Sequence, residues 1–381
     1  MRQTAVRFQW LDGVKGIAVL WIALYHCLLA YGSGTIPWPI TYASFHDFLG
    51  AGAQNSFLGN VARGAEGILA AIIQRGPQAV GVFILFSGFG LTYSLVRRGT
   101  AKAPWSAWYK RRFTRLFPVY WVAHIIFLLS PFTVLHGHFD YRFFLSFLGD
   151  RVYPVEKMFF YFVPAWWFMG LLIELYLVYP LLFTLLEKMG WVPYLGLCIV
   201  LSVASRYLLL DVFRANGYYE MGAFFVCRLW EFAAGMALGK LMAQRPEWTL
   251  KGLLSWKGLF AGTLVYALGL WCYRPDFLYF FSDGLTTMGL SVILVHLAYR
   301  ADRLPGLGKA LAKTGVYSYS IYLLHQPYVM YVGKMMRAQS MRAFLGIACA
   351  VTLLVVSGSI LIESSVNRAV DRIFFAAADK T

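Results

Sequence analysis

The sequence predicts an all-α integral membrane protein of about ten transmembrane helices with both termini in the cytoplasm, and three observations predict it. Of the 381 residues, 59% are hydrophobic and only 14% are charged, where soluble domains run at about half apolar and a quarter charged. The apolar residues gather into stretches of roughly 20, the length of a bilayer-spanning helix. Lysines and arginines collect in alternate loops by about two to one, the asymmetry that marks cytoplasmic segments. A soluble chain of this size could not cover so much apolar surface with its charged side chains, so the bilayer is its solvent. Phe, Trp and Tyr make up 18% of the residues, as aromatic belts at two interfaces require.

The expected spans are 14–32, 78–96, 116–135, 163–186, 191–210, 222–243, 257–274, 278–299, 315–335 and 343–364, with polar groups interrupting the sixth and ninth. The first is read as a retained helix, because a cleaved signal peptide has no use for Asp12, Lys15 and His26. The segments 33–77 and 136–162 are expected outside, and apolar runs such as Phe143-Phe144-Leu145 suit the second to the membrane surface. No linker, repeat or low-complexity tract divides the chain, so residues 1–381 are read as a single transmembrane domain with no appended soluble domain.

The net charge of +16 follows from positive loops and does not call for nucleic acid as a partner. The cysteines (Cys27, Cys198, Cys227, Cys272, Cys349) are scattered without Cys-x-x-Cys spacing, so neither a disulfide framework nor a metal site is expected.

Ionisable groups inside spans are costly and therefore functional candidates. Lys15 and His26 are eleven residues apart, almost three helical turns, so both project from one face of the first span, roughly 16 Å apart along its axis. Asp12 is placed to pair with Lys15. A neutral imidazole at the position of His26 is what a general base requires. Arg112 and Arg115 share a face at the start of the third span, and planar guanidinium forks suit phosphate oxygens; an interfacial anchor would look the same. Gly81 to Gly90, with Ser87 among them, alternates small and bulky residues, as close helix packing does. Glu174 lies among aromatic residues in the fourth span and needs a partner there. Arg228 and Glu231, three apart, are expected to pair with each other. The ninth span is rich in hydroxyls, Tyr322 included, which either glue helices together or line a polar cavity ending at His325.

Five stretches in order, over residues 11 to about 330, resemble the acyltransferase-3 family of membrane-bound acyltransferases. They are Leu11-Asp12-Gly13-Val14-Lys15-Gly16-Ile17 running to Tyr25-His26, then Val82-Phe83 to Ser87-Gly88-Phe89, and Arg112-Phe113-Thr114-Arg115-Leu116-Phe117-Pro118-Val119-Tyr120. Trp167-Phe168 to Tyr176 and Pro180 follow, and finally Ser318-Tyr319-Ser320-Ile321-Tyr322-Leu323-Leu324-His325-Gln326-Pro327. The resemblance implies a ten-helix fold that moves an acyl group, usually acetyl, from cytoplasmic acyl-coenzyme A (acyl-CoA) to a carbohydrate or similar acceptor outside. It maps the family's basic residue and histidine onto Lys15 and His26, and its Arg-x-x-Arg, implicated in handling the coenzyme, onto Arg112 and Arg115. Where many relatives carry Glu-Glu, Leu172 and Ile173 stand here with Glu174 one step later, which points to the branch of stand-alone polysaccharide O-acetyltransferases.

The expected enzyme is thus an acyl-CoA-dependent O-acyltransferase of the plasma (inner) membrane, with acetyl-CoA as donor, no metal, and a cell-surface polysaccharide hydroxyl as acceptor. His26 is its general base, Lys15 shares the catalytic face and assists Arg112 and Arg115 with the donor phosphates, and Glu174, Tyr322, His325 and Ser87 are the substrate-binding candidates. Membrane lipid and other subunits of a polysaccharide synthesis machinery are the expected partners. The alternative is a multi-span transporter or flippase for an envelope sugar or lipid-linked intermediate, which also needs buried charge; the two halves lack paired Gly/Pro-broken spans.

Overall fold

From Gln9 to Tyr31 the chain has no proline and an almost unbroken supply of apolar side chains, and it forms one continuous helix, α1 (Gln9–Tyr31). The computed structural model describes residues 9–32, 42–50, 57–99, 104–130, 141–149, 163–274 and 277–374, and among these there is helix and no strand. In lipid a helix satisfies every backbone group within its own segment, which is why so apolar a chain takes this form.

In chain order there follow α2 (Tyr42–Gly50), α3 (Phe57–Gln74), α4 (Ala79–Arg97), α5 (Trp105–Leu128), α6 (Tyr141–Ser146) and α7 (Trp167–Met189). Then come α8 (Trp191–Tyr207), α9 (Leu229–Gln244), α10 (Pro246–Leu253), α11 (Trp256–Trp271), α12 (Ser282–Ala301), α13 (Leu307–Val316), α14 (Ser318–Met335) and α15 (Met341–Phe374). Large apolar side chains stay exposed along several of them, among them Leu181, Val200, Phe260, Leu354 and Leu361. Water would not tolerate this much exposed hydrocarbon, whereas lipid does.

Helix α1 is the hub, packed against α4, α12, α13 and α14, while α4 pairs with α9 and α11 with α12. Glycine sets the closest of these approaches. A Cβ at Gly235 of α9 would overlap the Leu85 carbonyl of α4, and one at Gly315 would overlap the Asp12 carbonyl of α1. In lipid, helices associate by van der Waals contact, so small residues at the seam do what a hydrophobic core does in water.

By length and composition, the described helices include six candidate membrane spans. The bent pair α10 and α11, at 62°, makes a seventh if it is one broken span. The shortfall from the ten expected has local causes. α5 carries Lys110, Arg111, Arg112 and Arg115 in its first half, α9 has only 16 residues, and α14 is interrupted by Ser320, His325 and Gln326.

Several boundaries also differ. α5 begins at Trp105, so Arg112 and Arg115 lie inside the helix rather than at its start, and residues 131–135 of the expected third span fall outside the described residues. The expected outer segment 33–77 contains α2 and α3, and α3 runs through a short 3₁₀ turn, Gly76–Gln78, towards α4. Of 136–162 only 141–149, with α6, is described. None of the five cysteines is disulfide-bonded.

Candidate active site

The seam between α1 and α14 is narrow at Gly333, where a Cβ would overlap the Cys27 carbonyl. This closeness brings His26 of α1 and His325 of α14 together across 299 positions of sequence, with His325 Nε2 3.0 Å from His26 Nδ1. Their ring centroids are 5.0 Å apart.

The partners of the two rings decide which nitrogens carry protons. His325 Nδ1 lies 2.8 Å from the Tyr322 carbonyl and 3.1 Å from that of Ile321. A carbonyl can only accept, so this nitrogen donates, and Nε2 of a neutral His325 accepts. His26 Nδ1 faces that Nε2 and, at 3.0 Å, the Ile22 carbonyl, so it too carries a proton. In a neutral His26 the lone pair is then on Nε2, which takes no hydrogen bond among the described residues. His325 is fully buried, whereas His26 borders a cavity. The sequence offers both histidines as candidates; in the structure His26 keeps the free lone pair and His325 is the hydrogen-bond partner of its other nitrogen.

Three cavities lie in series. The first, of about 410 Å³, is lined by Arg98, Arg111, Arg112 and Arg115 with Asp371. The second, of about 250 Å³, is lined by Lys15, Arg112, Arg115, Ser87, Tyr176, Tyr319, Tyr322 and Glu363. The third, of about 400 Å³, is lined by His26, Tyr25, Tyr322 and Gln326, with a polar far wall. Arg112 and Arg115 border the first two, and Tyr322 borders the second and third.

Lys15 reaches Asp12 at 3.6 Å, the pairing its spacing suggests. Arg112 lies over the Trp108 ring at 5.6 Å, and neither Arg112 nor Arg115 is held in an ion pair among the described residues.

The remaining candidates separate. Ser87 Oγ is 3.3 Å from the Tyr176 hydroxyl, on the wall of the second cavity. Tyr322 donates its hydroxyl proton to the Ala165 carbonyl at 2.7 Å, while Gln326 accepts from the Ala165 amide at 2.9 Å. Together they fasten α14 to the 3₁₀ turn Pro164–Trp166 that opens α7. Glu174 is half-buried on α7 and lines none of these three cavities.

Beyond the Arg228–Glu231 pair, the far wall of the third cavity is not legible in the sequence. Arg228 pairs with Glu231 at 3.0 Å as its spacing suggests, and it also reaches Asp283 at 2.8 Å. Arg206 bonds Glu220 at 2.7 Å and Asp283 at 3.1 Å. The turn that carries Glu220, Tyr219–Ala223, passes against the Trp167 ring at Gly222, whose φ of 151° disfavours a side chain and where a Cβ would be 2.5 Å from the ring. Glu363, buried between the lysine and arginine side of the second cavity and the Ser320 amide at 3.4 Å, is likewise not singled out by the sequence. Apart from the i, i+3 spacing of Arg228 and Glu231, the only signal for these groups is their charge near apolar runs. Among the described residues no group of three or more His, Cys, Asp or Glu side chains is arranged to hold a metal ion.

A family model described as an acyltransferase domain matches residues 8–364. No curated protein and no solved structure matches the chain.

Proposed function

The chain belongs to the acyltransferase-3 family, and from this premise we propose that it transfers an acyl group, acetyl above all, from cytoplasmic acyl-CoA to a hydroxyl of a carbohydrate on the other side of the membrane. The observation that carries the proposal is the series of cavities, with guanidinium groups bordering the first two and a histidine lone pair beside the third. In this scheme Arg112 and Arg115, with Lys15, hold the donor's phosphates, and the pantetheine arm passes through the second cavity towards Tyr322. Such a path is about half a bilayer long, on the order of 15 Å.

At its end the acceptor hydroxyl gives its proton to His26 Nε2 while its oxygen attacks the thioester carbonyl carbon. The tetrahedral intermediate collapses with cleavage of the C–S bond, and the proton on His26 returns to the departing thiolate. His325 keeps the His26 Nδ1 proton in place, so that Nε2 is the basic nitrogen throughout. For the chain to work across a membrane, ten crossings with both termini in the cytoplasm put the arginines on the donor side. A plasma (inner) membrane location beside a polysaccharide synthesis machinery suits the acceptor.

The test is purified protein with labelled acetyl-CoA and oligosaccharide acceptors: label transferred to sugar supports the enzyme, whereas binding or movement of substrate without thioester cleavage is what a transporter would give. For the donor site, Arg112→Ala removes charge-assisted hydrogen bonds worth about 1.5–3 kcal/mol. Calorimetric titration with acetyl-CoA is expected to show Kd rising by roughly ten- to a hundredfold. An unchanged Kd in both Arg112→Ala and Arg115→Ala would remove the arginines from donor binding.

A further inference from the structure

The wall of the third cavity that faces away from the donor path holds charge that the acyl-transfer step does not use. Arg206, Glu220, Arg228, Glu231 and Asp283 form one network: Asp283 accepts from both guanidinium groups and Glu220 from Arg206, while Glu231 forms an ion pair with Arg228 at 3.0 Å. Two tyrosines complete it, Tyr273 donating to Asp283 at 2.5 Å and Tyr279 to Glu220 at 2.7 Å. Apolar residues of the same volume would generally hold helices together as well as a buried ionic cluster does, and in lipid the cluster is costlier still. Glu220, Arg228, Tyr273, Tyr279 and Asp283 all line the cavity that His26 borders.

Two carboxylate oxygens of the network take no hydrogen bond among the described residues, Glu231 Oε1 and Glu220 Oε2, and of these two residues only Glu220 lines the cavity. The Glu220 side chain is nine-tenths buried, and its Oε1 accepts from both Arg206 and Tyr279. Its Oε2 takes no hydrogen bond among the described residues. A carboxylate oxygen without a hydrogen-bond partner on a cavity wall is free to accept a donor from whatever fills that cavity.

We propose that this wall is the acceptor subsite, that Glu220 Oε2 accepts a hydrogen bond from an acceptor hydroxyl, and that the subsite takes an uncharged, hydroxyl-rich ligand, a neutral sugar. The inference rests on the reading of His26 as the base of acyl transfer, and it adds the identity of the ligand class. Three carboxylates against two guanidinium groups leave no positive surplus to draw in an anion. Beside them Thr286, whose proton goes to the Ser282 carbonyl, offers acceptor lone pairs, and Gln78, whose Oε1 accepts from Tyr266, keeps its amide donors, a mixture that matches hydroxyls rather than phosphates. The Trp167 ring borders the same space and offers an apolar face to the C–H side of a sugar. At about 400 Å³ the cavity falls in the range of small-molecule sites.

The test uses the full chain in lipid nanodiscs with labelled acetyl-CoA. The acceptors are neutral glucose-, galactose- and mannose-based oligosaccharides, uronic-acid oligosaccharides and glucosamine oligosaccharides. Transfer is expected to the neutral sugars. In Glu220→Gln the KM for the neutral acceptor is expected to rise by roughly ten- to a hundredfold, with a smaller rise in Glu220→Asp. The Kd for acetyl-CoA, read separately, stays at its original value and shows that both variants are folded. Transfer to neutral sugars with KM unchanged in both variants, or transfer confined to uronic-acid or glucosamine acceptors, overturns the subsite and leaves the acyltransferase reading standing. Binding of acetyl-CoA with no transfer to any acceptor overturns both.

Discussion

Replacing His26 by alanine is expected to lower acyl transfer by roughly a hundred- to ten-thousand-fold, the contribution of a positioned general base. Acyl-CoA binding should survive, because the arginines proposed to hold the donor border cavities His26 does not line. Single-turnover rates and a separate Kd for acetyl-CoA measure the two quantities independently. His325→Ala makes the same argument sharper. It removes the partner at 3.0 Å from His26 Nδ1 but leaves the Ile22 carbonyl, also at 3.0 Å, so the imidazole loses one of the two groups that orient it. The fall in kcat should be smaller than for His26→Ala, with the Kd for acetyl-CoA unchanged. Normal acylation by His26→Ala would end the role of this histidine as base.

Arg206→Met is expected to be the most damaging single change to stability. The Arg206 side chain is only 2% exposed, and it bonds both Glu220 and Asp283. Removing one partner of a buried ionic group leaves uncompensated charge behind, at a cost of about 3–5 kcal/mol. Asp283 retains Arg228 at 2.8 Å, so the stranded charge is chiefly that of Glu220. Combining Arg206→Met with Glu220→Gln should therefore recover part of the loss, a coupling that two independent sites would not show. Thermal unfolding of the purified single and double variants in one detergent measures this. An Arg206→Met protein as resistant to heat as its parent would mean that the network contributes nothing to the fold.

Much of the proposed donor side is legible from one-dimensional spacing. Lys15 lies eleven residues before His26 on the same helix, and Arg112 and Arg115 are three apart, so helical geometry alone aligns each pair. The Asp12–Lys15 and Arg228–Glu231 pairs are local in the same way, and both are present at 3.6 and 3.0 Å. Helix boundaries were harder. Hydropathy places the third span from residue 116, whereas the helix starts at Trp105, because backbone hydrogen bonding does not stop where the arginines begin.

The sequence by itself determined the solvent, the helical class and the family motifs. Burying so much hydrocarbon requires lipid, and lipid requires internally bonded backbone. Tertiary structure alone decided the partners of the costly polar groups. His325 meets His26 across 299 residues, and Arg228 meets Asp283 across 55. Hydropathy registers the cost of a buried charge but is silent on which distant residue offsets it. Glycine contacts between helices set those pairings, and with them which histidine nitrogen is free to take a proton.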